Sequence, residues 1–227
     1  MPTLVIANKL YSSWSLRPWL LLRQLGIAFD EIVIPLDRPD TRERILVHSP
    51  AGKAPVFVDG ETSVWESIAI CEYAADRWPD TGVWPADRAA RALARSISAE
   101  MHAGFGAVRR ALPMNLGKRF AARDRGGDVA REVARIEAMW RDARRRYGQG
   151  GPFLFGAFSA ADAMYAPVVT RLDTYSVPVA PETRAYVDAI LSLPAYREWL
   201  DAALAEPWTV PSDEVDEEPV ANLRSLG

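Results

Sequence analysis

One cysteine, Cys71, occurs in 227 residues, so no disulfide can form within the chain, and the composition fits a reducing, cytoplasmic setting. Histidine is almost as scarce, with two residues. His102 has no cysteine or carboxylate cluster beside it, which excludes a metal site there. No stretch is long and apolar enough to span a bilayer, and none is expected to insert in a membrane. The N-terminus lacks a charged segment followed by an apolar one, so no secretory signal is expected. Positive charge is not in excess: 27 Lys and Arg stand against 30 Asp and Glu, for a net charge of -3 and a pI near 5.5. That removes the ground for a nucleic-acid partner. Internal repeats are absent. What is present is an ordinary globular composition, 49% hydrophobic and 25% charged. The length suits one large domain or two modest ones.

The chain is organised around residues 7–19. Leu4-Val5-Ile6 predicts a buried strand, and Leu20-Leu21-Leu22 with Leu25 predicts the inner face of a helix. Ser12, Ser13 and Ser15 therefore sit at a strand-to-helix turn. Two readings stand. The hydroxyls cap the helix, with Pro18 tolerated in its first turn. Alternatively the helix N-terminus, with its spare donors and partial positive charge, receives an anion, and a serine donating its O–H to a thiolate lowers the thiol's pKa.

Phe29 to Pro35 predicts a second strand, hence a parallel βαβ unit, and Asp40 to Val47 a short helix. Asp59-Gly60 between apolar runs predicts a hairpin, with Thr62 to Trp65 returning. Pro55 suits an edge-strand start, where trans is the commoner form. From Ser67 a capped helix is expected, with Ile68, Cys71 and Ala75 along one face and Cys71 buried and inert. Ser67 with its N–H also suits a carboxylate at a helix N-terminus, and Glu66 an ammonium group. A γ-glutamyl α-amino acid offers both charges.

Trp78 to Pro85 is rich in Pro and Gly and marks a domain boundary. Beyond it the pattern is almost wholly helical. Leu93, Ile97, Met101, Phe105, Val108 and Leu112 predict one long helical segment from Asp87, with Gly104 and Gly106 inside it at a cost in propensity and as places for close packing or a bend. Asp128 to Tyr147 predicts a second. After the break at Gly148 to Pro152, Ser159 and Asp162 form a capping box with a structural role. Helices from Pro181 to Leu193 and Pro194 to Ala205 follow. The acidic tail, Ser212 to Glu218, reads as extended.

In this order and spacing, Tyr11-Ser12-Ser13-Trp14-Ser15-Leu16-Arg17 resembles the active-site turn of the glutathione S-transferase superfamily. It is nearest the zeta-like (maleylacetoacetate isomerase-like) branch, whose pattern is S-S-C-S-W-R. Ser12 and Ser13 fall on the two serines and Arg17 on the arginine, while Trp14 stands in place of the cysteine. The resemblance covers roughly residues 3–205 and is strongest in the first 75. It implies an α/β plus all-α architecture: a thioredoxin-like βαβαββα domain over 1–78, a linker over 79–86, and an all-helical domain over 87–227 with the acidic tail.

It also implies a homodimer, glutathione as co-substrate, and no metal. Ser12 would donate to the glutathione thiol, with Ser13 as cap or backup donor and Tyr11 as the rival. Pro55 would be cis, and the Val56 backbone would pair with the cysteinyl unit. Glu66 and Ser67 would hold the γ-glutamyl end. Lys53, where the branch has glutamine, would face the glycyl carboxylate. Met101, Phe105, Arg109 and Arg171 would border the electrophile, although the apolar spacing equally suits Met101 and Phe105 to the core, with Arg109 toward solvent. Trp14 in place of cysteine argues against a mixed-disulfide reductase. The expected function is serine-activated conjugation of small electrophiles. The first alternative is glutathione-dependent cis-trans isomerisation, whose substrate-holding arginine falls on Thr174, with Arg171 one turn earlier. The second is a non-enzymatic interaction module, against which the intact Ser12, Pro55, Glu66 and Ser67 set argues.

Overall fold

The fold was read from a computed structural model, which describes residues 1–224. The strand-helix-strand opening forms as expected: β1 (Thr3–Ile6) leads through α1 (Ser13–Gln24) to β2 (Asp30–Val33), parallel to β1. Then come α2 (Thr41–Leu46), β3 (Val56–Asp59), β4 (Thr62–Trp65) and α3 (Ser67–Arg77). β3 and β4 form the expected hairpin, with Gly60 at φ 61, a value glycine adopts without strain. The sheet order is β2-β1-β3-β4, with β3 antiparallel to β1. This is the thioredoxin-like βαβαββα arrangement. Side chains alternate across the sheet: Leu4, Ile6 and Phe57 join the main core with α1 and α3, while Val5 and Val56 pack with Ile34 and Ile45 on the other face.

The buried face of α3 differs from the expected one. It carries Ser67, Ile70, Cys71 and Ala74, whereas Ile68 and Ala75 are half-buried at its flanks. Burial pushes the Cys71 thiol up to about 12, so it stays protonated at neutral pH.

The second domain is helical: α4 (Arg88–Ala103), α5 (Gly106–Ala111), α6 (Gly127–Tyr147), α7 (Ala160–Thr174), α8 (Pro181–Leu191) and α9 (Pro194–Leu204). The long helical segment expected from Asp87 to Leu112 is two helices. α4 stops at Gly104, and the chain turns through Phe105 at φ 60 before α5 begins. The apolar spacing runs through this break because both helices bury the same side into one core: Ile97, Met101, Phe105, Val108 and Leu112 are all buried. Leu93 is only half-buried, and Ala90 and Ala94 occupy the inner face instead.

α7 is buried along nearly its whole length and packs on both α1 and α4, joining the domains. Its start is fixed by Asp162, whose Oδ2 accepts from Ser159 N (2.9 Å) and Ser159 Oγ (3.1 Å). Asp162 Oδ1 accepts from Leu154 N (3.0 Å) and Tyr186 Oη (3.1 Å).

The acidic tail is not simply extended. After a short turn at Pro211–Asp213, β6 (Ala221–Asn222) pairs antiparallel with β5 (Lys118–Arg119). Its carboxylates find donors: Glu214 accepts from Tyr11 Oη (2.6 Å), Lys118 Nζ (2.6 Å) and Asn115 Nδ2 (3.1 Å). Just upstream, Glu206 accepts from Lys9 N (2.8 Å) and Leu10 N (3.2 Å). The last residues of the expected C-terminal domain, 225–227, lie outside the described residues. Among the described residues no helix is long and apolar enough to cross a membrane.

Candidate functional site

The N-termini of α1 and α3 and the loop before β3 converge on one cleft. Ser12 is the N-cap of α1, and its Oγ accepts from Ser15 N at 3.3 Å. Of the three serines expected as possible caps, Ser12 takes the role, and Ser13, expected as cap or backup donor, is the first helical residue. Ser15 is wholly buried, its Oγ accepts from Ala7 N at 3.0 Å, and it lies 2.8 Å from Ser12 Oγ. Either hydroxyl can donate across that contact. Because the Ser15 oxygen already accepts the Ala7 N–H, its own proton can turn to Ser12 Oγ. Ser12 is then free to donate into the cleft.

The cleft has a volume of about 850 Å³, and its walls include Ser12, Trp14, Lys53, Pro55, Trp65 and Glu66. The Ala54-Pro55 peptide is cis. Val56 is paired with Val5 on one side and Trp65 on the other, its side chain buried beneath the sheet. Arg38 and Arg42 line the same cleft as Lys53, with Asp37 beside Arg38. Glu66 is the residue before α3, at φ 70, and its Oε2 lies 3.4 Å from His102 Nε2. Burial, reinforced by the Arg17 charge, holds His102 below the ordinary imidazole range. His102 is therefore neutral at pH 7, and the Glu66 charge is left uncompensated by it. Ser67 is fully buried as the first residue of α3, a helix with no side-chain cap. Its Oγ accepts from Arg17 Nη1 at 3.3 Å.

A second, smaller cavity of about 210 Å³ adjoins the first. Ser12, Trp14 and Leu36 line both. Ser13, Arg109, Arg171 and Asp213 line the smaller one. Arg109 Nε donates to Gly104 O at 2.9 Å, and its guanidinium lies 4.9 Å from the Trp14 ring centre. Arg171 Nε donates to Leu112 O at 2.8 Å. Burial, with the Arg109 charge beside it, pushes Arg171 down to about 10. Thr174 donates to Asn115 O at 3.1 Å and is turned to packing.

Met101 and Phe105 are corrected as cleft residues. Both are core side chains, 0% and 7% exposed, and border neither cavity. The break at Gly104 directs their common face inward, and His102 and Ala103 border the larger cleft instead. Tyr11 lines the smaller cavity, but its hydroxyl is committed to Glu214. Burial and that carboxylate push its pKa well up.

Sequence reasoning had no role for Trp14 in the wall of both cavities, nor for Arg38, Arg42 or Asp213. Ser15 carried a signal: three residues after Ser12, it shares that residue's helix face. Among the described residues no group of three His, Cys, Asp or Glu side chains is placed to hold a metal ion.

Comparison with known proteins agrees in fold. A family profile described as "Glutathione S-transferase, N-terminal domain" matches residues 11–77, and one described as "Glutathione S-transferase, C-terminal domain" matches residues 94–202. A probable maleylacetoacetate isomerase of Caenorhabditis elegans is 24% identical over 188 residues, 79% of this chain and 86% of the worm protein. A dichloromethane dehalogenase of Methylorubrum extorquens is 32% identical over 66 residues, 27% of this chain, and the match spans only 22% of the dehalogenase. The crystal structure of a glutathione transferase homolog from Burkholderia gl BGR1, with bound glutathione, superposes with a TM-score of 0.66 and 23% identity. It covers 90% of this chain and 99% of that one.

Proposed function

This chain belongs to the glutathione S-transferase superfamily, its two domain profiles together covering most of the sequence, and from that premise we propose that it activates the glutathione thiol through Ser12. The tripeptide occupies the 850 Å³ cleft, and a small electrophile the adjoining 210 Å³ cavity. Glutathione carries an α-amino acid at one end, a carboxylate at the other and a thiol between. The cleft offers a group to each. Glu66 faces the ammonium, and Ser67 with the α3 N-terminus takes the adjacent carboxylate. The Val56 backbone, at the start of β3 just after the cis peptide, meets the cysteinyl unit at the end of the strand. Lys53, with Arg38 and Arg42 near it, suits the glycyl carboxylate.

The observation that carries the reading is the position of Ser12: at the α1 N-terminus, on the wall shared by both cavities, with Ser15 behind it. A free thiol has a pKa near 8.5 and is mostly protonated at neutral pH. Each unit of lowering needs about 1.4 kcal/mol of thiolate stabilisation. A hydroxyl hydrogen bond to sulfur plus the helix N-terminus supplies roughly one to two units. The thiolate then attacks an electrophilic carbon, forming a C–S bond as the leaving group departs with its electron pair or a double bond takes up the charge. Tyr11, tied to Glu214, is not available for this task.

Arg171 on the wall of the smaller cavity supports a second reading, in which glutathione adds to a carboxylate-bearing cis-alkene and leaves after rotation. The homodimer, the cytoplasmic setting and the division at 79–86 belong to the same proposal.

Calorimetry with reduced glutathione tests the binding half. Millimolar or tighter affinity, weakened in Glu66→Ala and Ser67→Ala, is expected. No heat from a folded protein at high glutathione overturns it.

A further inference from the structure

Arg17 lies on the buried side of α1 and is fully excluded from solvent. Its Nη1 reaches Ser67 Oγ at 3.3 Å, while Nε and Nη2 have no hydrogen-bond partner among the described residues. No carboxylate of the described residues pairs with it. Its remaining support is the Trp14 ring, 4.3 Å from the guanidinium carbon. Burial, and the charges of Arg109 and Arg171, weigh against the protonated form. A buried cation without a counter-ion is costly, and sequences retain few of them.

The surroundings point the same way. Ser67 accepts from Arg17, so its own proton is available, and its one acceptor is the Met164 sulfur at 3.9 Å, a weak one. α3 begins at Ser67 with no side-chain cap, leaving its first N–H groups unmatched by any side chain. Glu66, at φ 70, occupies a backbone conformation unusual for a non-glycine residue. An orphaned cation, a hydroxyl with a spare proton and an uncapped helix N-terminus meet at one residue. Together they lack an anion.

We infer that Arg17 is the built-in counter-charge for the α-carboxylate of a γ-glutamyl ligand, acting on it through the Ser67 hydroxyl. This rests on the reading that glutathione fills the cleft. Arg17 is a positioning residue: it polarises Ser67 and places positive charge behind the carboxylate without entering the cleft. Bound ligand offsets a charge that the empty protein leaves unmatched. Removing that charge therefore weakens ligand binding without weakening the empty fold.

The test pairs a protein group with a ligand group. Glutathione and γ-aminobutyryl-cysteinyl-glycine, which lacks the γ-glutamyl α-carboxylate, are titrated into the wild type and into Arg17→Met by calorimetry. The wild type should prefer glutathione by about ten-fold or more. Arg17→Met should bind the two within about two-fold of each other, by loss of glutathione affinity, and should melt no lower than the wild type when unliganded. Arg17→Gln serves for the same comparison if the methionine variant does not fold. Full discrimination retained without the charge overturns the inference, and so does a wild type that binds both ligands alike, whatever the variants do. A wild type that binds neither ligand refutes the glutathione reading itself, a separate outcome.

Discussion

The Tyr11 hydroxyl donates a 2.6 Å hydrogen bond to the Glu214 carboxylate, tying the turn before α1 to a segment 203 residues later in the chain. Burial pushes the Glu214 carboxyl up, but the hydrogen bonds from Lys118 and Tyr11 outweigh it and hold the group below its ordinary value. A carboxylate lowered in the folded state contributes stability above its unfolded pKa, near 4.5, and loses it as pH falls through the folded value. Tyr11→Phe should cost about 1–3 kcal/mol at neutral pH, with the difference shrinking below about pH 4.5 as the carboxylate protonates. Thermal melts over a pH series read this. The thiol pKa of bound glutathione should not move.

Asp162 is the opposite case. Burial raises its pKa to about 6 from 3.8, in spite of four accepted hydrogen bonds. The folded state then holds a proton more tightly than the unfolded chain, so this group's contribution to stability falls as pH rises from about 4 to 6. Asp162→Ala leaves the Ser159 and Leu154 N–H groups without an acceptor and should cost about 2–4 kcal/mol. Glutathione affinity in the folded fraction should change little. An unchanged melting temperature refutes the structural role.

Ser15 stands behind Ser12, with the Ala7 N–H behind it in turn. Ser15→Ala removes the proton that turns to Ser12 Oγ, and should raise the thiol pKa of bound glutathione by roughly half a unit to one unit. Ser15→Thr, which keeps the hydroxyl, should restore it. In a Ser12→Ala background Ser15→Ala should add nothing, since it acts through Ser12. Equal, additive shifts in both backgrounds would show that Ser15 acts independently.

The first domain was legible because its signals are local. Asp59-Gly60 marks a two-residue turn, and the apolar run at residues 4–6 marks a strand whatever surrounds it. The α4–α5 break was legible only in part, through the bend that Gly104 and Gly106 allow. The i, i+4 spacing from Ile97 to Leu112 continues across Gly104 and Phe105, because both segments bury one side in one core. Met101 and Phe105 were placed at the cleft by resemblance alone, while their apolar spacing already suited the core they occupy. The contacts of the tail were not legible because its carboxylates find their partners far away, Glu214 on Tyr11 and Lys118, and such pairings leave no trace in local sequence. That Ser12, Pro55 and Glu66 share one cleft was readable from motif and order, while Ser67 lies buried beside Glu66 and off the cleft wall. That Ser12, not Ser13, is the cap depends on backbone geometry at the turn. The unpartnered state of Arg17 depends on what surrounds it in three dimensions.

The thiolate absorbance of enzyme-bound glutathione, followed against pH in wild type, Ser12→Ala, Ser13→Ala and Tyr11→Phe, bears on thiol activation most directly. Ser12→Ala should raise the apparent thiol pKa by about one unit or more, matching loss of a charge-assisted hydrogen bond. Tyr11→Phe should leave it in place and Ser13→Ala should shift it less. A shift in Tyr11→Phe with none in Ser12→Ala would contradict activation by Ser12.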